Sequence, residues 1–243
     1  MSSTKAAVVL GASGSVGKAL IAELIRTRSF NPIVTLVRRS QPDQVAMAAR
    51  ESGIELREAL VPAMDPVGLE TATTEAIRRI EGGDVVGLSV LGIGAGTAKL
   101  TIDEHRAVDV HLNAAFARGL KASGVQHLAF MSAAGADITA ATTGSGAAGM
   151  ARYARVKGEA EEAVKQSGPA VVSIFRPAMI IGSQHTPWLL EKVLPAFSFV
   201  TPAKYKSISV EQIAKAMVAT SLNVPAESGL YHYPEMLALD RAR

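Results

Sequence analysis

Short, uniformly apolar runs that alternate with longer amphipathic segments are the feature that most limits how this chain can fold. We predict strands over 6–10, 32–37, 54–60, 84–91, 125–132 and 170–175. Between them we predict helices over 15–28, 66–81, 101–123 and 150–167, with a short helix over 43–52. Strands that are apolar throughout are typical of parallel sheets covered by helices on both faces. With right-handed crossovers, this pattern predicts an α/β doubly wound parallel sheet with strand order 3-2-1-4-5-6.

The pattern changes after about residue 182, where apolar runs no longer alternate regularly with helical segments. Because 243 residues suit one α/β domain, we predict a single domain over 1–243. Within it, we expect residues 183–243 to form a small helical cap with one short strand on the substrate side. Residues 136–151 are rich in alanine, glycine and threonine, and we expect a mobile loop there.

Composition and charge argue against several classes of function. The formal net charge is +3 without a run of five or six like charges, so we expect no nucleic-acid partner. The absence of cysteine excludes disulfides and thiolate metal ligands, and none of the five histidines has the spacing of a metal site. No apolar stretch approaches the ~20 residues that span a bilayer, and the first strand begins near Lys5. We therefore expect a cytoplasmic protein without a signal peptide or a membrane partner.

The segment GASGSVGKAL, residues 11–20, follows the first predicted strand and opens the first predicted helix. In such a turn the first glycine permits the sharp bend, the second lets backbone approach a pyrophosphate, and the third permits close helix packing. The free N–H groups and the dipole of the helix favour a phosphate. A glycine-rich turn without a ligand is the alternative. We predict a dinucleotide site of the Rossmann type formed by Gly11, Ser13, Gly14, Ser15, Val16 and Gly17.

The end of the second predicted strand, LVRRS, indicates which dinucleotide is bound. NAD sites usually carry an acidic residue here for the ribose 2′-hydroxyl, whereas NADP sites carry a cation for the 2′-phosphate. Arg38 and Arg39 occupy this place, and the first acidic residue after them is Asp43. We predict NADP (NADPH) as the cofactor, and the alternative for either arginine is a solvated basic turn.

The segment YARVK places Tyr153 and Lys157 on one face of a predicted helix, at i and i+4. Because a nearby ammonium favours the phenolate, this spacing makes a tyrosine usable for proton transfer near neutral pH. Ser132 ends the fifth predicted strand, where a hydroxyl can hydrogen-bond a substrate carbonyl. We predict Ser132, Tyr153 and Lys157 as the catalytic residues. Asp109 and Asn113 fall on the helix after the fourth strand, where we expect ordinary helix packing and a buried polar contact is the alternative.

These three features together resemble the short-chain dehydrogenase/reductase superfamily, whose members bind NAD(P) on a Rossmann fold. GASGSVG is similar to the G-x-x-G-x-x-G of its atypical and extended branches. More narrowly, the chain resembles the atypical branch that contains the Tat-interacting-protein oxidoreductase, over about residues 5–222. The landmarks are LG at 91–92, FMSAAGAD, YARVKGEAE, and FRP at 175–177 followed by IIG.

Further cofactor contacts are implied by the resemblance, and plain packing is the alternative for each of them. Leu60 and Val61 would flank the adenine, and Leu91 and Gly92 would lie beside a ribose. The residues that would approach the nicotinamide are Pro177, Ala178 and Met179.

The chain departs from the family in the spacing of its serine and tyrosine. The family usually separates them by about a dozen residues, whereas Ser132 and Tyr153 are 21 residues apart. We interpret the extra length as a loop over the active site and predict a flexible lid over 137–150. Trp188, the only tryptophan, has three equal interpretations: a substrate pocket, a subunit contact or core packing.

The sequence favours an NADP-dependent oxidoreductase that moves a hydride between the nicotinamide and a small carbonyl or alcohol substrate, as a monomer or homodimer. In this interpretation Tyr153 transfers the proton, Lys157 assists it and holds the ribose, and Ser132 orients the substrate oxygen. A non-catalytic regulator that senses NADP(H) is the main alternative. A nucleotide-sugar epimerase is a weaker one, because only 68 residues follow the sixth predicted strand.

Overall fold

The computed structural model describes residues 4–40, 43–94, 100–142, 147–182 and 202–241. Its strands are β1 (Lys5–Leu10), β2 (Phe30–Val37), β3 (Leu56–Leu60), β4 (Val85–Ser89), β5 (His127–Met131), β6 (Val171–Phe175), β7 (Ile180–Ile181), β8 (Ile208–Ser209) and β9 (Gly229–Tyr231). Seven of them form one sheet in the order β3-β2-β1-β4-β5-β6-β9, with every neighbouring pair parallel. β7 and β8 pair separately. The predicted doubly wound sheet of the Rossmann type, with order 3-2-1-4-5-6, is confirmed, and β9 adds a strand beside β6.

Helices connect the strands and cover both faces of the sheet. They are α1 (Ser15–Thr27), α2 (Asp43–Glu51), α3 (Pro66–Arg78), α4 (Ile102–Arg106), a π-helical segment (Ala107–Leu112), α5 (Asn113–Ala122), α6 (Ala147–Ser167), α7 (Val210–Leu222) and α8 (Tyr233–Arg241).

Alternate residues of the central strands pack into two separate cores. In β1, Ala7 belongs to a core with Leu20 of α1 and Met217 of α7. Val8, the next residue, belongs to a core on the other face with Phe116 of α5. Because side chains alternate between the faces of a strand, an apolar run without polar interruptions buries both faces.

The helix after β4 differs in detail from its prediction. The predicted helix over 101–123 is present, but the π-helical segment Ala107–Leu112 interrupts its middle. Thr101 caps its start through a reciprocal pair of hydrogen bonds with Glu104. A hydrophobic period of 3.6 residues does not reveal one widened turn, so the sequence pattern could not show this segment.

Only part of the predicted C-terminal cap can be described. Residues 183–201, which include Trp188, lie outside the described residues. In the described remainder, α7 packs against α1 and β9 pairs with β6. This part of the chain therefore extends the sheet and one of its helical layers.

Across the five described ranges, no helix is both long and apolar enough to cross a membrane. The same ranges contain no group of three or more histidine, aspartate or glutamate side chains arranged to hold a metal ion.

Candidate functional site

The turn between β1 and α1 requires glycine at two positions for steric reasons. Gly11 has a φ of +90°, and a Cβ there would lie 2.7 Å from the backbone nitrogen of Leu91. A Cβ at Gly17 would lie 2.7 Å from the carbonyl carbon of Ala12. Both contacts are shorter than Cβ atoms tolerate, so the turn and the loop after β4 pack backbone against backbone.

No steric contact within the protein requires glycine at position 14, because a Cβ there would meet only the Gly11 carbonyl oxygen, at 3.7 Å. It is the N-cap of α1, which has neither a side-chain cap hydrogen bond nor an acidic residue in its first turn. Ser13 beside it is exposed, while Val16 is buried under the helix. The amino end of α1 is therefore open to an anion.

A cavity of about 550 Å³ extends from this turn. Three of the predicted cofactor segments line it, namely the glycine turn, the arginines after β2 and the loop after β4. It lies at the carboxyl ends of β1, β2 and β4, where ligands bind in open α/β sheets. Its lining residues are Leu10, Gly11, Ala12, Ser13, Leu36, Val37, Arg38, Arg39, Ala63, Met64, Leu91, Gly92, Ile93, Val108 and Leu112.

The segment after β3 enters the cavity through different residues from those implied by the resemblance. Ala63 and Met64 line the cavity, whereas Leu60 and Val61 are not among its lining residues. Leu60 is exposed to solvent, and Val61 is buried in the core on one face of the sheet. No local pattern marks Ala63 or Met64, because their position depends on the course of the chain after the strand ends.

Tyr153 and Lys157 lie together on α6, as the spacing predicts. The Lys157 ammonium is 5.7 Å from the centre of the Tyr153 ring and 2.5 Å from the Oδ1 atom of Asp109. Lys157 and Asp109 are both buried. The sequence favours helix packing for Asp109, with a buried polar contact as the alternative, and does not identify Lys157 as its partner.

The Lys157–Asp109 ion pair shifts the pKa of both groups. Burial acts to lower the pKa of Lys157, but the charges of Tyr153 and Asp109 outweigh it and hold this pKa above its ordinary value. Burial acts to raise the pKa of Asp109, but the charge of Lys157, assisted by His105, lowers it to about 2. Both groups are therefore charged at neutral pH.

Asp109 also fixes the loop after β4 that lines the cavity. Its Oδ2 atom accepts a hydrogen bond of 3.1 Å from the backbone nitrogen of Ile93. A Cβ on Gly92 would lie 3.0 Å from the Lys157 ammonium and 3.2 Å from Asp109 Oδ1. Asn113 donates to the Asp109 carbonyl oxygen at 2.8 Å. The cavity wall and the ion pair are thus in direct contact.

The hydroxyl of Ser132 is hydrogen-bonded to a carboxylate of α6. Its hydroxyl donates a hydrogen bond of 2.6 Å to Glu161 Oε1, and Glu161 forms a bidentate pair with Arg176. Ser132 and Glu161 are both buried. Because a hydroxyl has one proton, Ser132 can donate to a substrate carbonyl only after it leaves Glu161, although its lone pairs can still accept.

The segment after Ser132 is attached to α6 over part of its length. The backbone nitrogen of Asp137 donates to the carbonyl oxygen of Ala154 at 2.9 Å. A Cβ on Gly158 would lie 2.5 Å from the carbonyl carbon of Asp137, so this glycine permits the approach. Residues 143–146 of the predicted lid lie outside the described residues. Residues 147–150 of the predicted lid belong to α6 instead. The flexible lid over the remainder stays a prediction, and residues 137–140 contact the helix that carries Tyr153.

The segment Pro177–Met179 lies beside the loop that follows Ser132. The carbonyl oxygen of Pro177 accepts a hydrogen bond of 2.8 Å from the backbone nitrogen of Ala134. The carbonyl oxygen of Met179 pairs with Ile208, and its side chain is exposed. These contacts place the segment, which includes Ala178, next to the carboxyl end of β5.

Comparison with known proteins agrees with this geometry. A model of the NAD(P)H-binding family matches residues 11–223. The chain belongs to the NAD(P)H-binding family. The sheet of this NAD(P)H-binding protein is of the Rossmann type, and short-chain dehydrogenase/reductases of known structure share its fold, in agreement with the resemblance seen in the sequence.

Three proteins of known sequence or structure are similar to this chain. Protein FMP52, mitochondrial, of Eremothecium gossypii is 25% identical over 183 residues, which are 74% of this chain and 68% of that protein. A short-chain dehydrogenase/reductase from Serratia marcescens shares the fold with a TM-score of 0.64 and 17% identity, over 95% of this chain and 98% of that one. An alcohol dehydrogenase from the archaeon Thermococcus sibiricus, solved with 5-hydroxy-NADP, has a TM-score of 0.64 and 17% identity, over 95% and 97% of the two chains.

Alanine substitution should separate the roles of Gly14 and Gly17. Gly14→Ala should change the free energy of unfolding by less than about 1 kcal/mol but weaken binding of NADH and NADPH at least about tenfold, because its Cβ would occupy the place of the pyrophosphate. Gly17→Ala should destabilise the fold by about 1–3 kcal/mol, because its Cβ overlaps the Ala12 backbone. Denaturant unfolding and fluorescence titration measure both effects. Normal dinucleotide affinity in Gly14→Ala would contradict the placement of the pyrophosphate.

Asp109→Asn should destabilise the protein in a manner that depends on pH. The pKa of Asp109 falls from 3.8 to about 2, so its ionised form stabilises the fold above about pH 4, and this contribution is lost as the pH falls toward 2. The variant should be less stable by on the order of 2 kcal/mol near neutral pH, with a smaller difference in acid. Urea unfolding of both proteins across this range measures it. A difference that does not vary with pH would exclude the ion pair as its cause.

Proposed function

We propose that the protein is an NADP-dependent oxidoreductase that transfers a hydride between the nicotinamide and a small carbonyl or alcohol substrate. The observation that carries the proposal is the position of Lys157, whose ammonium pairs with Asp109 and faces the ring of Tyr153. Gly92, which lines the cavity, lies against the same ammonium. The residues suited to proton transfer are therefore neighbours of the residues suited to hold the cofactor.

The chain offers a set of contacts for each part of the dinucleotide. In our proposal the turn 11–17 holds the pyrophosphate, and the loop 91–93 lies beside the nicotinamide ribose. Ala63 and Met64 take the place beside the adenine that the resemblance gave to Leu60 and Val61. The segment 177–179 approaches the nicotinamide.

The catalytic residues would divide the proton transfer between them. When bound, the nicotinamide supplies or accepts the hydride. Tyr153 donates a proton to the substrate oxygen during reduction and removes it during oxidation. Lys157 favours the phenolate by its charge and offers N–H donors to the ribose. Ser132 orients the substrate oxygen, by accepting from an alcohol or, once its proton leaves Glu161, by donating to a carbonyl.

The preference for NADP is supported by Arg38 and Arg39, which line the cavity at the end of β2. The carboxyl end of this strand is where the ribose 2′ position lies in dinucleotide-binding folds of this kind. A guanidinium binds a phosphate by charge-assisted hydrogen bonds, and the described cavity lining contains no acidic residue.

A second candidate function is a non-catalytic protein that binds NADP(H) and senses its redox state. It is favoured by the Ser132–Glu161–Arg176 contacts, because a buried hydroxyl committed to a carboxylate serves the fold without any substrate. Such a protein has no need of the Tyr153–Lys157 pair, which supports the enzyme instead.

Tyr153→Phe distinguishes the two functions. In the enzyme, the variant should lose at least about a hundredfold in kcat with any aldehyde, ketone, quinone or alcohol that the wild type turns over, because the proton donor is gone. Its affinity for NADPH should not change. Tyr205→Phe, which alters an exposed tyrosine in the 3-10 turn before β8, is the matched control and should keep full activity. Unchanged turnover in Tyr153→Phe would exclude the proposed role.

Arginine variants test the choice of cofactor. Arg38→Ala and Arg39→Ala should each weaken NADPH binding by about tenfold and leave NADH binding unchanged, because only NADPH carries the 2′-phosphate. Arg79→Ala, at the far end of α3, is the control and should leave the affinity for both cofactors unaltered. Thermal shifts of the wild type should be larger with NADPH than with NADH at equal concentration. The reverse order would refute the assignment.

The proposal also includes a cytoplasmic location and a small-molecule substrate. The relative from Eremothecium gossypii is, by its name, mitochondrial. Detection of the protein in separated cell fractions tests the location, and a screen of carbonyl compounds and alcohols with NADPH or NADP tests the substrate class.

A further inference from the structure

Two buried side chains on the helix after β4 contact the proposed proton-transfer pair, and neither has a part in the proton transfer described so far. His105 lies on α4 and Asp109 in the π-helical segment, one turn apart, and both are almost completely inaccessible to solvent. The His105 ring stacks on the Tyr153 ring, with 5.7 Å between centroids and an interplanar angle of 24°. π-helical turns occur frequently at functional sites.

These contacts form a closed ring of four residues. The His105 Nε2 atom is 3.6 Å from Asp109 Oδ2, and Asp109 Oδ1 is 2.5 Å from the Lys157 ammonium. The ammonium in turn faces the Tyr153 ring at 5.7 Å. We call Tyr153, His105, Asp109 and Lys157 the four-residue cluster.

We propose that Asp109 is a positioning residue for proton transfer, which holds Lys157 in place and partly neutralises the charge that Lys157 presents to Tyr153. This inference rests on the proposed function. His105 supports the arrangement by occupying the space between the Asp109 carboxylate and the Tyr153 ring. Gly92 leaves room for the pair, because a Cβ there would press on both Lys157 and Asp109.

The other charged groups near the cluster are already paired among the described residues. Glu161, one turn after Lys157 on α6, forms a bidentate pair with Arg176 of the segment after β6 and also accepts from Ser132. The next ion pairs on these helices, Arg106–Glu159 and Arg155–Glu159, involve a different face of α6. Among the described carboxylates, Asp109 is therefore the one in ion-pair contact with Lys157.

The sign of the effect follows from the charges. The Lys157 ammonium favours the phenolate form of Tyr153, and the Asp109 carboxylate opposes it. Replacing this carboxylate by a neutral amide of the same shape leaves the ammonium facing the phenol with less compensation. Burial opposes the charge of Lys157 in this variant, but Tyr153 and Glu161 still favour the ammonium. The phenol should then ionise at lower pH.

Near-ultraviolet absorbance titration tests this without any substrate, because ionised tyrosine absorbs differently from neutral tyrosine. The Tyr153 signal is assigned as the difference between the wild type and Tyr153→Phe. In Asp109→Asn its midpoint should fall by about 1 pH unit. In Asp109→Glu, which keeps the charge, the midpoint should stay near that of the wild type. An unchanged or raised midpoint in Asp109→Asn overturns the proposal.

Two further variants separate charge from structure. Glu159→Gln removes a carboxylate from an ion pair on the same helix and should not move the midpoint. Tyr205→Phe alters an exposed tyrosine outside the cluster and should also leave the midpoint in place. A shift in either variant as large as that in Asp109→Asn would show a general loss of packing and would overturn the proposal.

Lys157→Met provides a second route where Asp109→Asn fails to fold. It removes the cation itself, and the Tyr153 midpoint should rise by at least about 1 pH unit. An unmoved midpoint overturns the proposal as well. Because turnover is not measured, failure of the proposed oxidoreductase function, seen as unchanged activity in Tyr153→Phe, is distinguishable from failure of this electrostatic coupling.

Discussion

Close contact between the backbone at Gly11 and the backbone at Val90 and Leu91 is the constraint on which the arrangement of the site depends. It brings the turn after β1 against the loop after β4, with no side chain between them. The same loop lies against Lys157 and Asp109 at Gly92. The proposed cofactor turn on one side and the proposed proton-transfer pair on the other are thus joined by a few residues of backbone.

Burial of charged side chains determines which elements pack against α6. Tyr153, Lys157 and Glu161 follow one another at intervals of four residues, and each has a partner from a different element. A buried charge without a partner is strongly destabilising, so Asp109 and Arg176 are needed for the fold as well as for any chemistry. The two sets of contacts lie in different places. The Lys157–Asp109 pair borders the cavity wall, whereas the Ser132–Glu161–Arg176 contacts connect β5 to the segment after β6.

The sequence predicts the fold closely, because its signals are local. The strands, the main helices and the order 3-2-1-4-5-6 all follow from apolar runs and right-handed crossovers. β9 was expected only as one short strand of a cap, because a run of three paired residues carries little periodicity. The sequence pattern does not reveal the π-helical segment or the contact at Gly158. Each changes a single turn or a single contact, and neither alters the hydrophobic pattern around it.

For the candidate site, the sequence by itself determined the glycine turn, the arginines after β2 and the Tyr153–Lys157 spacing, since each depends on residues within a few positions of one another. Only the tertiary structure decided what these residues contact. Asp109 is 48 residues before Lys157 and meets it through the packing of two helices. The proton of Ser132 is donated to Glu161, which is 29 residues later in the chain and buried beside it. A linear pattern specifies the backbone near each residue, whereas partners from distant elements are fixed by packing and by the cost of leaving a buried polar group unpaired.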